Sequence, residues 1–410
     1  MNTIINAGSN LPHTSNINRN HSISGVSYTK PIKQDVFFTA LNKPYKLAKA
    51  KSEKDIPDDA NIFLFTSDAK VKLPPGRDAK ECILSDKGFG FWTRFFGGEE
   101  ANGMVLKSNH VDYAHGDLTL NRRTKGLIEV DNAEVNQLEN VTMVILKNNA
   151  NVKFIDKVDN IDAFDSTMGN VNIEDAIHLN GNCKLDSIKA YTVIAYPGDH
   201  IKNSDTNLIA CKENKNKPGV YTIVDNAKAA IGAEFTQAKV GKLKANDLIF
   251  NDSIGDDIEA NCSLEFSNSV VNHLKLGAVK KMSDCKIKRF DLDNAATDLK
   301  MFGKIQIDQM NLRNDEGTIF IFPKTTELGE KVDNYIKELN IVNDYPCPNP
   351  RPRIKIQGPI DIEKIEFKNN AGVIDITRPE DPNKPIKIIN GYLNYDAPES
   401  PVPKIDDMDV

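Results

Sequence analysis

The stretch NVNIEDAIHLNGNCKLDS, residues 170–187, places apolar side chains at Val171 and Ile173, at Ile177 and Leu179, and at Cys183 and Leu185, so that one couplet recurs every six residues. Alternate residues of a strand face the same side, so each couplet buries one face of a very short strand, and the Asn, Asp and Gly residues between couplets turn the chain. Strands this short do not persist as isolated hairpins. They persist when the chain winds, each strand pairing with its equivalent one coil above and below, so that the couplets stack into a continuous apolar column.

Couplets of the same kind lie at Leu118/Leu120, Ile128/Val130, Val141/Met143 and Val152/Phe154, and later at Leu248/Phe250, Cys262/Leu264, Cys285/Ile287, Leu299/Met301 and Ile305/Ile307. A second echo joins NVKF at 151, NVNI at 170, NCKL at 182, NCSL at 261 and DCKI at 284: Asn or Asp, a small inward residue, a polar one, then a larger apolar one. Asn and Asp suit tight corners because they bond nearby backbone amides and tolerate left-handed conformations. The spacings of 19 residues (151 to 170) and 23 (261 to 284) predict coils of about 18 to 23 residues. The sequence therefore predicts an all-β chain, a parallel β-helix or β-solenoid. Its irregular coils resemble those of bacterial right-handed parallel β-helix proteins, the hand favoured here, more than the strict six-residue beat of left-handed hexapeptide helices.

The rest of the chain is organised around this core. Residues 1–34 carry six asparagines in the first twenty positions and no acidic residue before Asp35. They read as a disordered leader without the charged and apolar regions of a cleaved signal peptide. Residues 35–116 read as an N-terminal β region and cap, 117–312 as the β-helix with a loop excursion at 195–246 containing a short helix near 228–239. Residues 313–345 read as a strand plus an amphipathic helix, Leu328, Val332, Tyr335, Ile336, Leu339 and Val342 having helical spacing. A proline-rich linker and β segment at 346–396 and a disordered tail at 397–410 complete the chain.

Composition excludes some function classes. The 410 residues have a net charge of -6 with both signs interspersed, so no basic stripe points to nucleic acid. No run of some 18 apolar residues predicts a spanning helix. The six cysteines are scattered without a CxxC pair, which argues against a zinc site and for buried reduced thiols. No cofactor is expected.

Three sets of residues are candidates for chemistry or contact. GFGFWTRFFGG, residues 88–98, gathers Phe89, Phe91, Trp92, Phe95 and Phe96 and reads as a plug over the solenoid's end, or else as a membrane-inserting loop or an aromatic docking site. SNHVDYAHGD contains His110, Asp112, His115 and Asp117, two His-x-Asp phrases of a kind that binds divalent metals or forms a polar bend. GDDIEAN offers Asp256 and Asp257 as a catalytic carboxylate pair, with Asp205 in NSD and Arg353–Lys355 in RIK. These acids resemble part of the polygalacturonase set, but the Gly-His-Gly element of that family is missing.

The leader resembles, in composition, those of type III secreted effectors, which implies export without cleavage and action in a host cytoplasm; the alternative location is the bacterial cytoplasm. The reading favoured is a non-enzymatic interaction protein, a virulence effector whose solenoid docks a host or bacterial protein, or a glycan. Its alternatives are a polysaccharide-active enzyme using Asp256 and Asp257 and a self-assembling solenoid resembling bactofilins.

Overall fold

The computed structural model describes residues 47–50, 56, 60–65, 70–85, 103–278, 281–293, 299–313, 318–322, 334–342, 353–357, 360–368, 372–376, 386–389 and 391–395. All regular structure among them is β-strand, joined in one parallel sheet that winds upon itself. The chain is a parallel β-solenoid. Parallel pairing runs through 117–312 and also on either side of it, from Leu47–Ala50 to Gly391–Tyr395.

The register gives the length of a coil. Asn151 lies beside Thr167, Thr167 beside Lys184, Lys184 beside His200, Ile223 beside Lys239, Lys239 beside Ile254, and Ile254 beside Val270, a repeat of 15 to 17 residues. Within the coil at 165–180 the buried residues fall into three couplets, Ser166/Met168, Val171/Ile173 and Ile177/Leu179, and Cys183/Leu185 opens the next coil. Between couplets two successive residues face outward, as Glu174 and Asp175 do, and there the register slips and the chain bends. The six-residue beat is therefore the side of a three-sided coil.

One local unit repeats at the same corner of successive coils. A residue in the left-handed region precedes a small buried one: Asn132–Ala133, Asn149–Ala150, Asp165–Ser166, Gln237–Ala238, Asp252–Ser253, Asn268–Ser269 and Asp284–Cys285, with φ between 45° and 65° at the first of each pair. Positive φ is tolerated by short polar side chains and glycine, which explains the Asn and Asp. The small residue then bridges coils. Ser253 Oγ accepts from the Ala238 N–H at 3.1 Å, Ser269 Oγ from the Ser253 N–H at 3.2 Å, and Asp199 Oδ1 from the Cys183 N–H at 2.9 Å. These contacts pair corner amides that would otherwise be buried without acceptors.

Several sequence expectations are corrected. Coils are shorter than 18 to 23 residues because the echoing phrases are not all equivalent: NCKL and DCKI sit at the repeating corner, whereas Asn151 registers with Thr167 and not with Asn170. In two couplets one member faces solvent, Phe154 at 37% exposure and Leu118 at 41%. The helix expected near 228–239 is strand, within Thr222–Thr236 and Ala238–Asn251, so the excursion shrinks to the loop at 212–221. The helix expected over 326–342 is, in its described part, the strand Tyr335–Val342. Bends between sides explain that error: Ile336 and Leu339 both point inward with two residues between them, a spacing that imitates a helical stripe. The 88–98 aromatic stretch, the leader, the tail and residues 326–333 lie outside the described residues.

Candidate functional site

The size of the inward residues varies along the second side of the coil. Upstream it holds Val171 and Ile173, downstream Leu274 and Leu276 and then Phe290 and Leu292. Between them stand Ile188 and Ala190, Ser204 and Thr206, Ala227 and Ala229, Leu243 and Ala245, then Ile258 and Ala260. Close packing admits no void, so a side built from small residues is drawn toward the axis. On the third side the coils of Ala227, Leu243 and Ile258 supply bulk instead: Phe235, Phe250 and Phe266 stack with ring centroids 6.0 and 5.3 Å apart.

The outer consequence is a solvent-open groove of about 350 Å³ running along the axis. Ser187, Asn203, Asn226, Lys242 and Asp257, stacked in register, form one wall. Asp205, Lys228, Lys244 and Glu259 form the other. The amides are tied to the sheet: Asn203 Nδ2 donates to the Asp186 carbonyl at 3.1 Å and Asn226 Nδ2 to Asn203 Oδ1 at 3.2 Å.

Charge on this face follows a rule. Along the second wall and its continuation the register reads Lys189, Asp205, Lys228, Lys244, Glu259, Lys275, Asp291, alternating in sign at every step except Lys228 to Lys244. Opposite charges on adjacent coils attract and like charges repel. Lys275 meets Glu259 at 3.6 Å, and Lys244 turns to Glu259 at 3.5 Å. Among the described residues Lys228 and Lys242, both exposed, enter no ion pair.

At one end of the groove Asp257 Oδ1 lies 2.9 Å from His273 Nδ1, and His273 Nε2 lies 2.9 Å from Asp291 Oδ2. Burial opposes ionisation of Asp291, but hydrogen bonds from Arg289, Asn311 and His273 outweigh it and hold its carboxyl below the usual range.

The sequence candidates are dispersed over this scaffold. Asp256 and Asp257 are both exposed, and of the two only Asp257 lines the groove; Asp256 accepts from Asn272 Nδ2 at 2.9 Å. Asp205 lies in the groove wall, and Arg353–Gln357 is a strand several coils away. His110 faces outward, 3.6 Å from Asp112 and 3.4 Å from Glu134. Asp112 binds Lys80, whose hydrogen bond and charge hold its carboxyl below the usual range. His115 is buried, its Nε2 2.9 Å from Glu81 and its ring stacked on Tyr113. Asp117 accepts from Ser85 Oγ at 3.1 Å and from the Thr119 N–H at 2.9 Å. Among the described residues no three His, Cys, Asp or Glu side chains are grouped to hold a metal ion. Cys82, Cys183, Cys211 and Cys285 are buried wall residues, with thiols pushed up by burial.

The groove lysines escape sequence reading because the couplet beat is lost over 195–246. A signal is present in the phrases Ile188-Lys189-Ala190, Ala227-Lys228-Ala229, Leu243-Lys244-Ala245 and Ile258-Glu259-Ala260, which occupy one position of the coil, with Ser204-Asp205-Thr206 filling it in the coil between the first two.

Among the described residues no helix is long and apolar enough to cross a membrane. No protein-family model matches the chain, and comparison with curated proteins and with solved structures gives no match. Fold and groove together define its class, a parallel β-solenoid with an axial polar groove.

Proposed function

We propose that this protein is a non-enzymatic docking module that holds an extended partner along the groove of its solenoid. The observation that carries this reading is the groove itself: a long, shallow, open depression whose walls are ladders of polar side chains at fixed spacing. Open grooves of this form suit an extended ligand, whereas small-molecule chemistry favours a concave pocket that buries most of its ligand. The composition of residues 1–34 supports delivery as a secreted effector without a cleaved signal.

The test fills the groove from outside. Asn226→Trp places a ring in the groove wall, and a tagged full-length chain carrying it, with native strand content by circular dichroism, is compared with the native chain in pull-downs from host cytosol. A partner retained by the native chain and lost by the variant supports docking at the groove; equal retention overturns it. A reporter fused to residues 1–34 that leaves the cell only when a type III system is intact supports delivery, and indifference to that system removes it.

One observation favours a second reading, a polysaccharide-active enzyme. Asp257 lies in the groove and touches a histidine that is itself held by Asp291, an arrangement able to move a proton. Loss of polyuronate cleavage in Asp257→Asn would promote it; absence of cleavage by the native chain would dismiss it.

A further inference from the structure

We propose that the ligand of the groove is an acidic oligosaccharide, lying along the solenoid axis with its anionic groups on Lys228 and Lys242. The proposal rests on the reading of the groove as a docking surface and adds the chemistry of what docks there.

The break in charge alternation is its starting point. From Lys189 to Asp291 each coil sets a charge against its opposite on the next, except where Lys228 stacks on Lys244 with Lys242 in the facing wall. Adjacent strands lie about 4.8 Å apart, so two stacked ammonium groups repel; Lys244 pairs with Glu259 at 3.5 Å, whereas Lys228, with Asp205 on its other side, enters no ion pair among the described residues. Lys244 leans toward Glu259, while Lys228 and Lys242 remain open to the groove. A bound anion between them gives each lysine the close ion pair that its carboxylate neighbour in register, Asp205 for Lys228 and Asp257 for Lys242, does not make.

The rest of the lining selects among anions. Asp205 and Asp257 bracket the lysines, and Asn203 and Asn226 line the wall between them. A polyphosphate or nucleic acid, anionic along its whole length, meets those carboxylates with repulsion. A saccharide carries hydroxyl groups that donate to carboxylates and amides, and acidic substituents that meet the lysines, so one molecule satisfies both parts of the lining. An extended peptide fits less well. Its same-side residues recur at about 6.7 Å, out of step with coils about 4.8 Å apart, and the sheet's backbone groups are already paired between coils. Five coils line the groove, spanning roughly 19 Å along the axis, room for a short oligosaccharide.

Calorimetric titration of the full chain tests this with four probes: hexagalacturonate, a heparin-derived hexasaccharide, neutral maltohexaose and poly-glutamate. Binding of either acidic saccharide, weakened at least tenfold in Lys228→Ala/Lys242→Ala and retained in Lys242→Arg, supports the proposal; which of the two binds tells carboxylate from sulfate. The double variant should keep the native strand content by circular dichroism, because both side chains are exposed and enter no ion pair among the described residues. Binding of poly-glutamate alone overturns the saccharide while leaving the docking groove standing. No binding of any probe at millimolar concentration, equal binding of maltohexaose, or an affinity unchanged in the double variant overturns the assignment.

Discussion

At the scale of single residues, the repeating corner decides what each position tolerates. Cys285 occupies the place that Ser253 and Ser269 hold in the two preceding coils, and its thiol lies 3.4 Å from the Phe266 carbonyl. Burial pushes that thiol up to about 12 and Cys183 to about 11. Iodoacetamide at pH 8 should therefore leave Cys82, Cys183, Cys211 and Cys285 unmodified in the native protein and label them in denaturant, as peptide mass mapping would show; rapid native labelling would refute their role as wall residues. Asp199 is the corner's exception, a fully buried carboxylate. Its carboxyl is raised chiefly by burial, and the N–H groups of Tyr196 and Cys183, each at 2.9 Å, only partly offset this. A carboxyl raised on folding binds its proton more tightly in the native state, so stability falls as pH climbs from the ordinary aspartate range, about 3.9, toward the folded value. Asp199→Asn, which removes the charge, should gain on the native chain at pH 7.5 and lose that advantage at pH 4, read as the difference in melting temperature.

Elements are held by what stacks between coils. The ring of Phe250 lies between Phe235 and Phe266 on the third side, in the coil whose second side holds Leu243 and Ala245. Phe250→Ala should cost about 3–5 kcal/mol in denaturant unfolding, because neighbouring coils cannot collapse into the space. A cost below ~1 kcal/mol would mean the stack is not a filled core. Left-handed corners make a separate demand. Asn268→Val should destabilise by about 1–2 kcal/mol while Asn268→Gly stays close to the native chain, since only the β-branched side chain clashes at a φ of 46°. These corners were legible only in part: of the phrases with Asn or Asp before a small residue, DCKI opens on the left-handed residue, NCKL sits at the corner with Gly181 as its left-handed residue, and NVKF, NVNI and NCSL lie elsewhere in the coil. The bends within a coil were not legible, because two outward residues between inward ones read equally as a helix face, as at Ile336 and Leu339.

For the whole molecule, each coil of the solenoid meets its neighbours and little else, so the described coils behave as a one-dimensional stack. Removing Ile254 through Ser269 excises one complete coil and joins Ser253 to Val270, which restores the same corner. That deletion should fold with its strand content intact by circular dichroism. Removing only residues 254–261 places outward residues in the column and should prevent folding. Equal behaviour of the two deletions would contradict a repeat of this length.

Local sequence was sufficient for the choice of architecture. Alternating couplets set off by Asn, Asp and Gly specify short inward-facing strands whatever lies elsewhere in the chain, and such strands are stable only when wound. The coil length, the groove and its company of side chains belong to the tertiary structure. They depend on which coil each residue joins, and register across 16 or 23 residues is set by packing in the shared column rather than by any neighbour in the chain. For that reason Asp257 could be chosen from the sequence as a candidate acid, whereas its contact with His273, and the lysines facing each other across the groove, existed only after winding.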